Sequence, residues 1–331
     1  MLQLIAKRVA AMVVILLVLT AVLFGLQKVS PLDPAHAMLG ANATAPAIAA
    51  QRHLLGLDRP LPDQFGHYLA ALLQGDLGES YRTRSPVRAD LGTFAPATVE
   101  LMLFALAFAL VLAVLLAVGT TLRWPGARVF RLVLFVGASA PPFLLAIAGI
   151  LLFYAHLGWL PATGRTGIAD APTGPTGLLT VDGVLAGRFD VVTDALSHLV
   201  LPALAVAIGP AVSIGRVLRS SLVGTIRSDY VRTAHAKGLR ERQVMVRHVI
   251  RNSLGPALSM TGLQAGLMFA GVLVIEQVFS WPGVGQYMAQ SIPVGDFPAI
   301  AGVTLLLGAG YVVINTTVDL LQGIADPRIN V

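Results

Sequence analysis

Residues Asp229–Pro256 read DYVRTAHAKGLRERQVMVRHVIRNSLGP and lie between two strongly apolar stretches. Charges this dense beside membrane-length apolar runs cannot be buried in lipid, so they must face water, headgroups or another protein. Gly238 separates two helix-compatible halves. The segment therefore reads as a helix–turn–helix lying across a membrane surface, the form of a docking element. Asp229 is placed to cap a first helix carrying Tyr230, Val231, Arg232 and Thr233. Ala234 and Ala236 are small enough to admit another surface, and Gly238, directly after Lys237, permits a sharp reversal. Val244, Val246, Val249 and Ile250 can anchor the second half, and Pro256 marks entry into the next apolar stretch.

The rest of the chain supplies the membrane. Of 331 residues 56% are hydrophobic and only 12% charged, with a mean hydropathy of +0.77. A soluble domain carries about 25% charged residues. Crossing about 30 Å of hydrocarbon takes roughly 20 apolar residues. Six such spans are expected, near 9–29, 97–122, 132–157, 198–217, 257–279 and 298–321. Pro141 and Pro142 interrupt the third, as a packing kink or as a break whose freed carbonyls face a wet cavity. Gly209-Pro210 is expected to loosen the fourth in the same way. The apolar run after Lys7-Arg8 is longer than a signal-peptide core, despite the cleavage-like Ala35-His36-Ala37, so it reads as a retained first span.

The net charge is +6. With this alternation of loops, 15 of the 23 basic residues fall on one side, including Arg8, the Arg123–Arg131 loop, the Asp229–Pro256 segment and Arg328. Most acidic residues fall on the other, which places both termini in the cytoplasm. Positive charge gathered in these loops excludes nucleic acid as the partner and makes anionic membrane lipid a natural neighbour. With no cysteine, disulfides and thiolate chemistry are excluded. The seven histidines are scattered without metal-site spacing. No phosphate-binding loop is present, because none of Lys7, Lys28 and Lys237 follows the required glycine pattern.

Two external segments carry their own signals. Within 30–95, Phe65, Leu69, Leu72 and Leu73 recur at helical spacing and predict an amphipathic helix. Within 158–197 the composition reads as loop, with a short hairpin expected over 178–184 around Asp182-Gly183. A third external stretch, SWPGVGQYM, has Pro282, Gly283 and Gly285 forcing a tight turn below Trp281, with Trp281 and Tyr287 suited to a membrane interface. Three carboxyl groups fall in or near spans. Glu100 and Glu276 either reach water at external helix ends or line a translocation path and meet a cationic group, and Asp319 is placed to pair with an interfacial arginine.

DYVRTAHAKG followed by RHVIRNSLGP resembles the cytoplasmic coupling loop, the EAA loop, of bacterial ABC-importer permeases of the dipeptide/oligopeptide/nickel type. The resemblance runs along nearly the whole chain. GLDRPLPDQFGHYL, GDLGES and SPV are similar to that family's external N-terminal region, and FAPATVEL, SHLVLPALAVA, IEQVFSWPGVG and DPRI follow in the family's order. His235 departs from the arginine frequent there, and 165–190 matches no motif. The resemblance implies an all-α, six-helix type I importer permease in the bacterial inner membrane, with no catalytic residues and no cofactor of its own. It implies a first helix plus external region over 1–94, a transmembrane domain over 95–323 with its coupling loop at 216–256, and a cytoplasmic tail over 324–331. The implied partners are a second, homologous permease, two ABC ATPase subunits that hold ATP and magnesium, and an external solute-binding protein. Peptides, glutathione and nickel are all carried by this permease type, and the lack of clustered histidines favours peptide. A secondary transporter or channel would work without an ATPase, but no inverted repeat is evident. A membrane scaffold would bind a partner without transport.

Overall fold

A computed structural model describes residues 2–30, 33–40, 42–172 and 174–325, with side chains from Arg8 to Gly323. The Lys7 side chain, Asp326, Arg328 and the DPRI motif lie outside the described residues. Among these residues every regular element is helical, apart from an isolated bridge between Glu79 and Pro86. Five helical stretches are long and apolar enough to cross a membrane. They are α1 (Leu2–Val29), α5 (Val87–Thr121), α9 (Phe189–Ile226), α12 (Arg251–Val278) and α14 (Phe297–Ala325). The region between α1 and α5 holds α2 (Pro34–Leu39), α3 (Ala45–Leu54) and α4 (Leu61–Leu73), the last being the amphipathic helix read from its spacing.

The expected third span differs. It is two helices, α6 (Ala127–Ala138) and α7 (Pro142–Gly149), the second continuing with wider winding over Ile150–His156 and inclined at 114° to the first. Ser139 closes α6 by donating to the Phe135 carbonyl, and Pro142 starts α7 where a missing N–H costs nothing. The proline pair thus opens a new helix rather than kinking an old one. Gly209-Pro210, by contrast, does not interrupt its span, because α9 continues as one helix through Pro202 and Pro210. The hairpin expected over 178–184 is instead a helix, α8 (Leu179–Leu185). Asp182 there turns inward and accepts from the Thr176 N–H and hydroxyl, which anchors the loop before it.

At about 1.5 Å per residue α5 and α9 exceed 50 Å, so both project beyond the roughly 30 Å hydrocarbon layer. They form the central pair through small residues. Ala105, Ala109, Ala113 and Ala117 on α5 meet Ala203, Ala207, Ala211 and Gly215 on α9, all buried. Without a hydrophobic driving force between helices in lipid, such four-residue spacing lets backbones approach closely enough for dispersion to hold them. A Cβ on Gly215 would fall 2.9 Å from Leu116 Cδ2 and 3.1 Å from the Ala113 carbonyl. α12 packs on α9 and on α14, and α1 lies along α14. The outer faces carry exposed Val, Leu and Ile, as a lipid-facing bundle requires.

Candidate functional site

The basic segment forms α10 (Asp229–Ala236) and α11 (Glu241–Val244). Ser228, extended at φ −71° and ψ 150°, is the residue that starts α10. Asp229 therefore sits in the first turn rather than at the cap, where it faces the positive helix end and lies 3.3 Å from Arg232. The helix has one buried stripe. Val231 and Ala234 join Leu218, Leu222, Val244, Val249 and Ala257 in an apolar cluster beneath the ends of α9 and α12. Ala234 is thus spent on the chain's own core, not on a partner's approach. Tyr230, Arg232, Thr233, His235, Ala236 and Lys237 are exposed.

The reversal at Gly238 has a defined mechanism. Its φ is +75°, its N–H donates to the His235 carbonyl, and the Leu239 N–H reaches back to Ala234 at 3.3 Å. This paired closure is the Schellman ending of a helix, which favours glycine because a side chain clashes in the left-handed region. His235 Nε2 then meets Glu241 Oε2 at 2.8 Å across the turn. Beyond it the expected second surface helix is absent. Glu241–Val278 is a single helical rod, with α11 passing through a π-wound stretch, Met245–Ile250, directly into α12 and through Pro256. One rod can bury only one face. Val244 and Val249 are accordingly buried while Val246 and Ile250 are exposed.

At the far end of the same rod lies a polar latch. Glu276 is fully buried and accepts the Thr98 hydroxyl at 2.5 Å, the Gly285 N–H at 2.7 Å and the Gln286 N–H at 3.2 Å. Thr98 in turn accepts the Val284 N–H at 2.9 Å. Gly285 and Gln286 lie in the first turn of α13 (Val284–Ser291), whose unpaired N–H groups are thereby satisfied from two other helices. Gly283 and Gly285 are required for this approach. A Cβ on Gly283 would fall 2.2 Å from Glu276 Oε1, and one on Gly285 2.6 Å from Leu273 Cα. Trp281 is fully buried and donates from Nε1 to the Ala97 carbonyl at 2.9 Å. Tyr287 is equally buried, stacked on Phe94 and donating to Asp90. Burial first, and the Asp90 carboxylate next, push its phenol well above the usual tyrosine range. These aromatics are core residues, not the interface residues expected, and the turn at Pro282 serves to start α13.

Glu100 is likewise buried, so neither carboxyl group reaches water as expected. Its oxygens accept from Arg165 Nη2 at 2.5 Å and from the Thr180 N–H and hydroxyl at 2.8 and 2.7 Å. Arg165 also donates to the Gly177 carbonyl and lies over the Trp281 ring. Asp194 binds Thr166 and the Gly167 N–H. The loop over 165–190, which matched no motif, is thus tied down by three carboxyl groups, Glu100, Asp182 and Asp194. On the N-terminal side Asp296 accepts from Ser80 at 2.5 Å and from the Arg82 N–H at 3.2 Å, and Arg82 lies over the Tyr287 ring. Glu276 and Glu100 lie at the same end of the bundle, joined through Trp281, which Arg165 covers. Pro141 and Pro142 lie elsewhere, exposed on this chain, and Asp319 pairs with Arg8 on α1. The roles of Asp90, Arg165 and Asp296 were not read from sequence. Their partners sit 197, 65 and 216 residues away, beyond any local pattern.

Residues 109–331 match the family model described as binding-protein-dependent transport system inner membrane component. Residues 1–102 match the model for the N-terminal part of such membrane components. Among curated relatives, a dipeptide transport system permease protein of Alkalihalophilus pseudofirmus is 37% identical over 98% of each chain. A di/tripeptide transport system permease protein of Pseudomonas aeruginosa is 37% identical over 99% of each, and a glutathione transport system permease protein of Salmonella typhi is 34% identical over 99% of each.

Proposed function

The chain belongs to the binding-protein-dependent transport system inner membrane component family, and from that premise we propose that it carries small peptides and is driven through α10. As a member it is a multi-pass, non-catalytic and cofactor-free permease subunit of an ABC importer, working with a binding protein and an ATPase. The observation that carries the proposal is the division of α10. Val231 and Ala234 fix it to the bundle, and Tyr230, Thr233, Ala236 and Lys237 stand exposed ahead of the Gly238 reversal into the rod. An ATPase seated on that exposed face moves the rod directly. In this reading two ATPases and a second, homologous permease complete the assembly. The excess of basic residues on the α10 side supports cytoplasmic termini. Residues 1–94, 95–323 and 324–331 then divide the chain into external region, transporting domain and tail.

Peptide cargo is supported by the two relatives named for dipeptide or di/tripeptide transport at 37% identity, against 34% for the one named for glutathione. We read Glu100 and Glu276 as struts of the outer end rather than contacts for a cationic solute, since their oxygens are engaged within the chain. Because the chain lacks cysteine, a single Ala236→Cys variant gives a clean crosslinking probe. It should join a phosphate-loop ATPase in membranes, while ATP-dependent uptake should favour dipeptides over glutathione and nickel. Failure of the crosslink together with ATP-independent uptake would favour a secondary transporter.

A further inference from the structure

A cavity of about 640 Å³ opens where α1 ends, bounded by α1, α4, the turn at Gly56–Arg59 and the start of α14. Its floor is apolar, with Leu23, Phe24, Leu77 and Pro298, and its rim carries Lys28 and Arg59. Neither cation has a carboxylate partner among the described residues. Lys28 donates to the neutral Gln64 amide and lies 5.2 Å from the Phe24 ring centroid. Arg59 Nη1 contacts His67 Nε2 at 3.1 Å. The one carboxylate lining the space, Asp76, accepts the Gly78 N–H. Neighbouring Arg52, by contrast, is ion-paired to Asp33.

The setting selects the ligand. Lys28 stands in the last turn of a membrane-length helix, at the depth of lipid phosphates. Below it α1 continues as a membrane-length apolar helix, and Leu23 and Phe24 line the cavity within the turn beneath Lys28. A ligand entering here meets two cations without a carboxylate partner at one end and the apolar floor of Leu23, Phe24, Leu77 and Pro298 at the other. A soluble anion would use the first and leave the apolar floor wet. We propose that this cavity binds the headgroup of an anionic phospholipid, with its phosphate between Lys28 and Arg59 and its glycerol end on Leu23 and Phe24. The bound lipid cements the external helices α3 and α4 to the membrane bundle.

The test uses the detergent-extracted assembly, delipidated and then given phosphatidylglycerol or phosphatidylcholine of matched chains, with retained lipid read by native mass spectrometry. Phosphatidylglycerol should be retained preferentially as one equivalent. Lys28→Gln and Arg59→Gln should each lower that retention about fivefold, the loss expected for one cation near a lipid surface. Arg59 is exposed, so in the delipidated state its variant should keep the wild-type unfolding temperature, and the stabilisation by added phosphatidylglycerol should shrink with its retention. Inorganic phosphate should leave the lipid in place. Equal retention of the two lipids, retention unchanged in both variants, or displacement by inorganic phosphate or by a dipeptide would overturn the assignment.

Discussion

Replacing Glu276 separates a strut from a substrate contact. Glu276→Gln keeps the shape, and its single carbonyl oxygen can still accept the Gly285 and Gln286 N–H groups now held at 2.7 and 3.2 Å. Its NH2 must then face Thr98, whose hydroxyl already accepts the Val284 N–H and must turn its proton away. Relative to the ionised carboxylate, what is lost is charge assistance at two backbone donors, about 1 kcal/mol each, so about 2 kcal/mol is the upper bound. Glu276→Ala instead leaves three donors without an acceptor, of which the two buried ones, the Thr98 hydroxyl and the Gly285 N–H, cost about 1–3 kcal/mol each. At roughly 2–4 °C per kcal/mol, the glutamine variant should unfold at most about 4–8 °C lower in detergent and the alanine variant lower still. Thr98→Val should not add its full cost to Glu276→Ala, because the two groups share partners. Uptake should fall by the same factor for cationic, neutral and anionic dipeptides. An unchanged unfolding temperature in Glu276→Gln, with loss confined to cationic solutes, would refute the strut and restore the carboxylate to the path.

Gly238→Val should leave insertion intact, since nothing lies within 4 Å of the added Cβ. The left-handed φ costs a branched residue about 1–2 kcal/mol, so the reversal should shift. Substrate-stimulated ATPase activity and uptake should then fall together, and normal values of both would count against coupling through this turn. Gly215→Leu should wedge α5 from α9 and destabilise by about 1–3 kcal/mol or more, seen as lower yield and unfolding temperature, whereas Gly224→Leu, with open space around it, should not. Asp319→Asn should weaken the seat of α1 on α14 by removing the partner of Arg8. The exchanged pair, Arg8→Asp with Asp319→Arg, should recover much of the lost thermal stability.

What the sequence disclosed follows a physical divide. Membrane spans need local hydrophobicity alone, so all but the third were readable, although α5 and α9 run well past their apolar cores. Hydropathy marks where hydrocarbon ends, not where a helix does. The α4 helix and the Gly238 reversal were equally local, one a matter of periodicity and the other of a glycine. The partner expected for Asp319 was found in Arg8 because two helix ends on the same side left few alternatives. Trp281 and Tyr287 were misplaced at an interface because their amphipathic chemistry suits either setting. Only the distant Ala97 carbonyl and Asp90 decide for burial. The Asp182-Gly183 pair had turn chemistry, yet the Asp182 side chain found Thr176 and the backbone stayed helical. The four-residue spacing of small residues on α5 and α9 stands in the sequence too, but which two helices it joins came only from the structure.

The two halves of the site share one rod. Glu241–Val278 carries Val244 and Val249 under α10 at one end and Glu276 in the latch at the other. At its outer end the rod is held to α5 through Thr98 and, by way of Trp281, through the Ala97 carbonyl. An ATPase that displaces α10 therefore cannot turn the rod about the latch without breaking buried hydrogen bonds. Compliance has to lie nearer the driven end. The π-wound stretch Met245–Ile250 and Pro256, whose missing N–H leaves the Asn252 carbonyl without its helical donor, are placed there. On the proposed function, the latch is the fixed point against which α10 works, and the break in helical winding beside the basic segment is where its displacement becomes tilt.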